Sequence, residues 1–191
     1  MDDERRQREE RFRRLYVAHY GAIDAYCARR TDEASDAVDA VAETFSIAWR
    51  RLAEVPDAEF VLPWLYGVAR RVLANQRRGN RRRGELSTRL RGQQSIGPDV
   101  DEDLLAQEDR RTVLEALARL KDSDREVLRL AAWEELSHRE IAQVMACSEG
   151  SVAVRLHRAR LRLGKEIAKG GAPTGHERRT DRGWRTEGQE S

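Results

Sequence analysis

Three carboxylates, Asp36, Asp39 and Glu43, recur at spacings of three and four residues. On a helix of 100° per residue they fall within about 60° of one another. Val38, Val41, Phe45, Ala48, Trp49 and Leu52 lie on the opposite side, as a core face. A compact carboxylate patch can dock a basic partner or bind a hard cation through oxygen ligands. It can also be a solvated acidic first turn favoured by the helix dipole. With no histidine or second acidic element beside it, the patch is a poor cage for a catalytic magnesium.

A second constellation is basic. Arg70, Arg71, Arg77 and Arg78 spread over the face of a helix opposite Leu65, Val68 and Val72, and Arg81, Arg82 and Arg83 follow. Asn75 borders that surface. Guanidinium forks suit phosphates and guanines, and an amide suits an adenine edge. Trp64 and Tyr66 are placed either to stack on unpaired bases or to pack in the core.

A third lies near the far end. Ser123-x-x-Glu126 and Ser137-x-x-Glu140 have the capping-box pattern, and Ser148 can cap a further helix. From residue 149, Val152, Leu156, Ala159 and Leu163 form an apolar stripe. Ser151, Arg155, Arg158 and Arg162 form a second strip rotated by about 100°. A short helix, a tight turn and a longer basic helix make a helix-turn-helix whose second helix enters the major groove. Gly150 in its first turn lowers helix propensity and permits close approach to a DNA backbone.

These side chains need helices to position them. Period-two alternation is absent, and helical periodicity runs along the chain. Helices are expected at 4–30, 35–53, 60–78 with a short basic continuation, 108–119, 123–134, 137–146 and 148–168. Nine of the 11 aromatics fall between Phe12 and Tyr66, so the two halves are expected to have different cores. The stretch between them is rich in Gly, Ser and Gln with an acidic run, and reads as a flexible linker. The Gly-rich end from Gly170 reads as a disordered tail.

The 191 residues are 37% charged and 39% hydrophobic, which suits small helical units with modest cores. The net charge of +2 conceals alternating blocks. Residues 31–59 hold eight acidic against two basic side chains, and residues 60–92 hold nine basic against one acidic. Two basic blocks set apart by acidic ones suggest two polyanion-binding surfaces. The acidic linker and tail are placed to mask them. Cys27 and Cys147 lie far apart and no CxxC is present, so a reducing cytoplasm fits and structural zinc does not. Both read as buried small residues. No apolar run is long enough to span a membrane, and the charged first thirty residues do not resemble a signal peptide.

Taken in order, DAVDAVAETFSIAWRRL, PWLYGVARRVLANQRRGNRRR and VLEALARLKDSDREVLRLAAWEELSHREIAQVMACSEGSVAVRLHRARLRL resemble a bacterial sigma factor of the extracytoplasmic-function (ECF) group. The resemblance covers about residues 11–83 and 110–168. It implies an all-α protein of two small helical domains: domain two over 1–83, a flexible linker over 84–109, domain four over 110–169, and a tail over 170–191. Such proteins bind core RNA polymerase through the beta-prime clamp and the beta subunit, recognise promoter DNA and help open it. They are not enzymes and need no cofactor, and an anti-sigma protein commonly restrains them. Asp36, Asp39, Glu43, Thr44, Phe45 and Trp49 match the motif that docks on the clamp. Segment 54–63, with Phe60, matches the loop that captures a flipped base of the minus-ten element. Trp64, Arg70, Arg71, Asn75, Arg77 and Arg78 match the helix that holds that element. Ser148, Glu149, Ser151, Ala153, Val154, Arg155 and Arg158 match the reader of the minus-thirty-five element.

The chain departs from the family pattern at several of these places. Arg71 stands where Asn is common, Val38 and Ala42 where Glu and Gln are common, and Lys121 where Pro is frequent. Ala153 and Val154 replace polar or basic residues on the reading helix. Small apolar groups can touch thymine methyls but cannot read guanine, so the minus-thirty-five preference is expected to differ from the family's usual one. The rival reading is a stand-alone helix-turn-helix regulator, which would bind a palindrome as a dimer. No dimerisation coiled coil is evident.

Overall fold

A computed structural model describes residues 2–56, 58–84 and 104–170 of the chain. Among these it contains seven α-helices and no strand. They are α1 (Asp2–Ala28), α2 (Ala34–Arg50), α3 (Val61–Gly84), α4 (Leu104–Arg119), α5 (Asp122–Ala132), α6 (His138–Met145) and α7 (Glu149–Gly170). Two short 3-10 turns, Leu52–Glu54 and Ala58–Phe60, join α2 to α3. The expected basic continuation is no separate helix: α3 runs unbroken through it. Pro63 sits inside the first turn of α3, where its missing N–H costs nothing. The expected linker falls on the end of α3, the start of α4 and residues 85–103, and only the last lie outside the described residues. The expected tail lies outside them apart from Gly170, which ends α7.

α1, α2 and α3 pack together around Ile23, Tyr26, Phe45, Leu65, Val68 and Leu73. Cys27 is fully buried there. Burial pushes its thiol up to about 12, so it stays protonated near neutral pH. α4 to α7 pack around Val127, Leu130, Ile141, Val144, Val152, Leu156 and Ala159. Val152, Leu156 and Ala159 bear out the apolar stripe read from the sequence, with Leu163 at its edge. Val38 does not join the core face expected of α2 and is 62% exposed.

Caps define the C-terminal half. Ser137 and Glu140 form the full reciprocal box: the Ser137 hydroxyl accepts from the Glu140 amide, and the Ser137 amide donates to the Glu140 carboxylate. The Ser148 hydroxyl accepts from the Ser151 amide and starts α7. The box expected at Ser123 does not form. α5 begins at Asp122 after Lys121, and Glu126 turns away to an ion pair. α6 ends on Ala146 in the left-handed region, with φ of 52°. That conformation makes the tight turn into α7.

The two halves are not independent bodies in this structure. α6 packs along α3, and one buried apolar cluster runs from Leu15 to Ala159 across both. The uneven spread of aromatics predicts different cores for the two halves, and the contact of α3 with α6 merges them.

Candidate nucleic-acid and protein interfaces

The carboxylate face lies on α2, whose buried Ala37, Val41, Phe45 and Ala48 hold it against its neighbours. Asp39 and Glu43 are exposed. Asp36 is half-buried and tied to α3: Asn80 donates to its carboxylate at 3.2 Å, and Gln76 donates to its backbone carbonyl at 3.4 Å. Glu43 pairs with Arg50 at 2.9 Å. Thr44 and Phe45 point inward. The Thr44 hydroxyl donates to the Ala40 carbonyl at 2.7 Å, so both residues shape the face without presenting a surface of their own. Trp49 is half-buried, edge-on to Phe12, with the Arg8 guanidinium 4.7 Å above its ring. Among the described residues no cluster of three ligating side chains is placed to hold a metal.

An open groove between α2 and α3 is lined by Asp39, Ala42, Glu43, Ser46, Asn75 and Gln76, among others. It brings together residues read separately as a protein-docking face and as a base-contacting edge. The Gln76 side-chain carbonyl is buried at its wall with no hydrogen-bond partner among the described residues.

On α3, Arg71, Asn75, Arg77 and Arg78 are exposed and Arg70 is half-buried. Arg78 hydrogen-bonds to Asn75, and Arg77 donates to the Arg30 carbonyl at 2.9 Å. Of the aromatics, Tyr66 is a core residue, 4% exposed and 4.8 Å from the Tyr26 ring, so it does not stack on bases here. Trp64 is half-buried against the same core. Phe60 is half-buried under α6, with the Arg139 guanidinium 4.5 Å from its ring.

α7 presents a different picture. Ser148, Glu149, Ser151, Ala153, Val154 and Arg158 are all exposed, and Arg155 is half-buried. Arg162, expected in the same strip, is drawn off by Asp124 of α5. A side chain added at Gly150 would meet nothing within 4 Å, so nothing inside this structure demands glycine there.

The residues that sequence reasoning missed lie where the halves meet. Arg30, with a side chain only 2% exposed, pairs with Glu126 at 3.1 Å and Glu134 at 3.0 Å. Tyr26 donates its hydroxyl to Glu126 at 2.7 Å, and Arg29 also reaches Glu134. Burial alone would raise the Glu126 carboxyl, but the charge and hydrogen bonds of Arg30, with the Tyr26 hydroxyl, outweigh it and hold the group below its ordinary range. Burial, with Arg30 close by, lowers neighbouring Arg129 to about 10, and its Nε has no partner among the described residues. The partners of Arg30 lie 96 and 104 residues away, a separation that leaves no local pattern to read. The one available signal was Glu126 itself, which a capping box had already claimed.

Known protein families match two stretches of the chain. Residues 15–83 match the Sigma-70 region 2 family and residues 110–163 match Sigma-70, region 4. The RNA polymerase sigma factor YlaC of Bacillus subtilis is 32% identical over 157 residues, spanning 81% of this chain and 91% of YlaC. The ECF RNA polymerase sigma factor SigL of Mycobacterium tuberculosis is 34% identical over 151 residues, spanning 77% of this chain and 83% of SigL. The sigma factor RpoE, solved in complex with the anti-sigma factor NepR from Bartonella quintana, shares the fold with a TM-score of 0.65 at 22% identity, over 82% of this chain and 96% of that one. CnrH, solved with the cytosolic domain of CnrY, gives 0.56 at 24% identity, over 83% and 88%. With region 2 on α1–α3 and region 4 on α4–α7, the chain belongs to the sigma-70 family of RNA polymerase sigma factors, in its ECF group.

Proposed function

We propose a division of labour for this sigma factor, which binds core RNA polymerase and directs promoter-specific initiation. Domain two (1–83) docks on the beta-prime clamp through Asp39 and Glu43, with Asp36 and Trp49 at the edges and Thr44 and Phe45 shaping the face from inside. Val38 and Ala42, both exposed, make that contact less polar than is common in the family. Arg70, Arg71, Asn75, Arg77 and Arg78 on α3, with Phe60 and Trp64, hold the unwound minus-ten strand. Trapping unstacked bases stabilises the melted state. Domain four (110–169) reads the minus-thirty-five duplex through Ser148, Glu149, Ser151, Ala153, Val154, Arg155 and Arg158. The linker of 84–109 threads along the polymerase toward the RNA exit path. The chain works in the cytoplasm, is not an enzyme and takes no cofactor. An anti-sigma protein restrains it, as the pairing of NepR with the similar RpoE suggests.

The observation that carries this reading is a pair of separate surfaces on one chain: an accessible carboxylate groove between α2 and α3, and an exposed basic reading face on α7. Adding the protein to core polymerase without other sigma factors should give initiation at discrete start sites on a genomic promoter library. Reversing both groove charges, Asp39→Lys with Glu43→Lys, should weaken core binding by about tenfold or more. Unchanged core affinity would refute the assignment of that face. Tight palindrome binding by a dimer, with no polymerase binding, would return the rival regulator.

A further inference from the structure

The exposed face of α3 is chemically one-sided. Arg71, Asn75 and Arg78 are all exposed and follow one another at helical spacing. On a helix they lie within about 60° of one another, as a single stripe. A guanidinium carries N–H donors and no acceptor. Asn75, the neutral member, has both a carbonyl and an amine to offer. Its carbonyl is already taken, because the Arg78 guanidinium donates to Asn75 Oδ1. Arginine can only donate, so this bond fixes which end of the amide is left over. What remains to Asn75 is its amine, and the positive charge on its carbonyl makes that amine a stronger donor. Acceptors do stand nearby, since Asn75 lines the α2 groove together with Asp39 and Glu43. Both carboxylates belong to the face assigned to polymerase, and Glu43 is paired with Arg50. The stripe itself holds donors alone.

We propose that Arg78 sets base choice in the minus-ten element by locking Asn75 as a donor, so that the stripe of Arg71, Asn75 and Arg78 selects keto bases, guanine or thymine, over amino bases. This rests on reading α3 as the minus-ten surface. A free amide would suit an adenine edge, giving to N7 and accepting from the N6 amine. With its carbonyl engaged, Asn75 cannot accept from the adenine N6 amine or the cytosine N4 amine, and neither arginine can. Such an amine would meet only donors and stay unpaired, which is penalised where water is excluded. The O6 and N7 of guanine and the O4 of thymine are acceptors and fit all three side chains. Arg78 is therefore a positioning residue for Asn75, and its remaining N–H groups stay available to a phosphate. Backbone grip and base choice then meet on one side chain.

The test is initiation by the full chain with core polymerase on a promoter randomised across the minus-ten element, with transcripts counted for each base at each position. Every variant changes exposed side chains of α3. The position that Asn75 reads is the one whose preference flattens in Asn75→Ala. There the wild type is expected to favour guanine or thymine by about fivefold or more. Asn75→Asp puts an acceptor into the stripe and should shift that position toward adenine or cytosine. Arg78→Ala frees the amide carbonyl and should shift it toward adenine, whereas Arg78→Lys still only donates and should keep the keto preference. The Arg78→Ala shift should vanish in Asn75→Ala with Arg78→Ala. If Arg78→Ala lowers initiation evenly over all bases while Asn75→Ala still flattens one position, the lock is overturned and Arg78 is a phosphate contact. A shift that survives in the double variant also overturns it, because base choice would not pass through Asn75. Failure of the underlying reading looks different: Asn75→Ala and Arg71→Asn would both initiate with the wild-type minus-ten profile, and no change in the stripe would move it.

Discussion

α3 and α7 are both arginine-bearing helices built on an apolar stripe, yet they meet solvent differently. α7 buries Val152, Leu156 and Ala159 within its own domain and turns Ser151, Ala153, Val154 and Arg158 outward. α3 buries Leu65, Val68 and Val72 within its domain and then loses Pro63 and Gly67 to a helix of the other half. On the reading proposed above, the duplex-reading face of α7 is open, and α3 keeps Arg71, Asn75, Arg77 and Arg78 exposed while its first turns, with Phe60, lie against α6.

The largest expected effect comes from the buried charges that hold the halves together. Arg30→Met leaves the buried Glu126 without its paired counter-ion and Glu134 with Arg29 alone, and should cost about 3–5 kcal/mol of stability, read by urea unfolding. Replacing all three together, Arg30→Met with Glu126→Leu and Glu134→Leu, should recover most of that loss. If Arg30→Met costs nothing, this ion-pair cluster does not hold the two halves together.

The pH dependence has a definite sign. The folded Glu126 carboxyl lies below its ordinary range, so its contribution is fully present above about pH 4.3. It is lost as pH falls through the folded value. Loss of stability in urea unfolding should therefore set in on acidification below about pH 4.3, and Glu126→Gln should lack this contribution.

On α7, Arg158→Ala should weaken promoter duplex binding by about 1–3 kcal/mol while leaving single-strand binding unchanged. Gly150→Ala separates folding from reading. Open space around that position means alanine should stabilise α7 by about 0.5–1 kcal/mol, seen in thermal melts. Close approach to the DNA backbone would make the same variant bind duplex less well. A variant that is more stable and binds equally well would show that Gly150 has no part in recognition. The smallest effect is expected at Ala146, held in the left-handed region between α6 and α7. Ala146→Gly should relieve up to about 1 kcal/mol without touching either surface.

Much of this was legible from spacing. The capping box at Ser137, the cap at Ser148 and the stripe Val152, Leu156, Ala159 are local patterns that local physics decides, and the structure contains them. The carboxylate face was legible as a face, but its inner members were not. Thr44 lies one step from Glu43, and only packing reveals that its hydroxyl is consumed by Ala40. Val38 was misread because the stripe of α2 was drawn too wide, at a position where no neighbouring helix covers it. Glu126 failed for a deeper reason. Its sequence context offers a cap worth about 1 kcal/mol, and a charged arginine across the interface outbids it. No periodicity records a contact between residues a hundred positions apart.

The central claim is that two helices read two different promoter elements. Its most direct test is initiation mapping with core polymerase on one promoter library, comparing wild type with Ala153→Arg and with Arg71→Asn. The account predicts that Ala153→Arg changes only the preferred minus-thirty-five sequence, and Arg71→Asn only the minus-ten sequence. A variant that shifts both elements, or leaves both profiles unchanged, would contradict it.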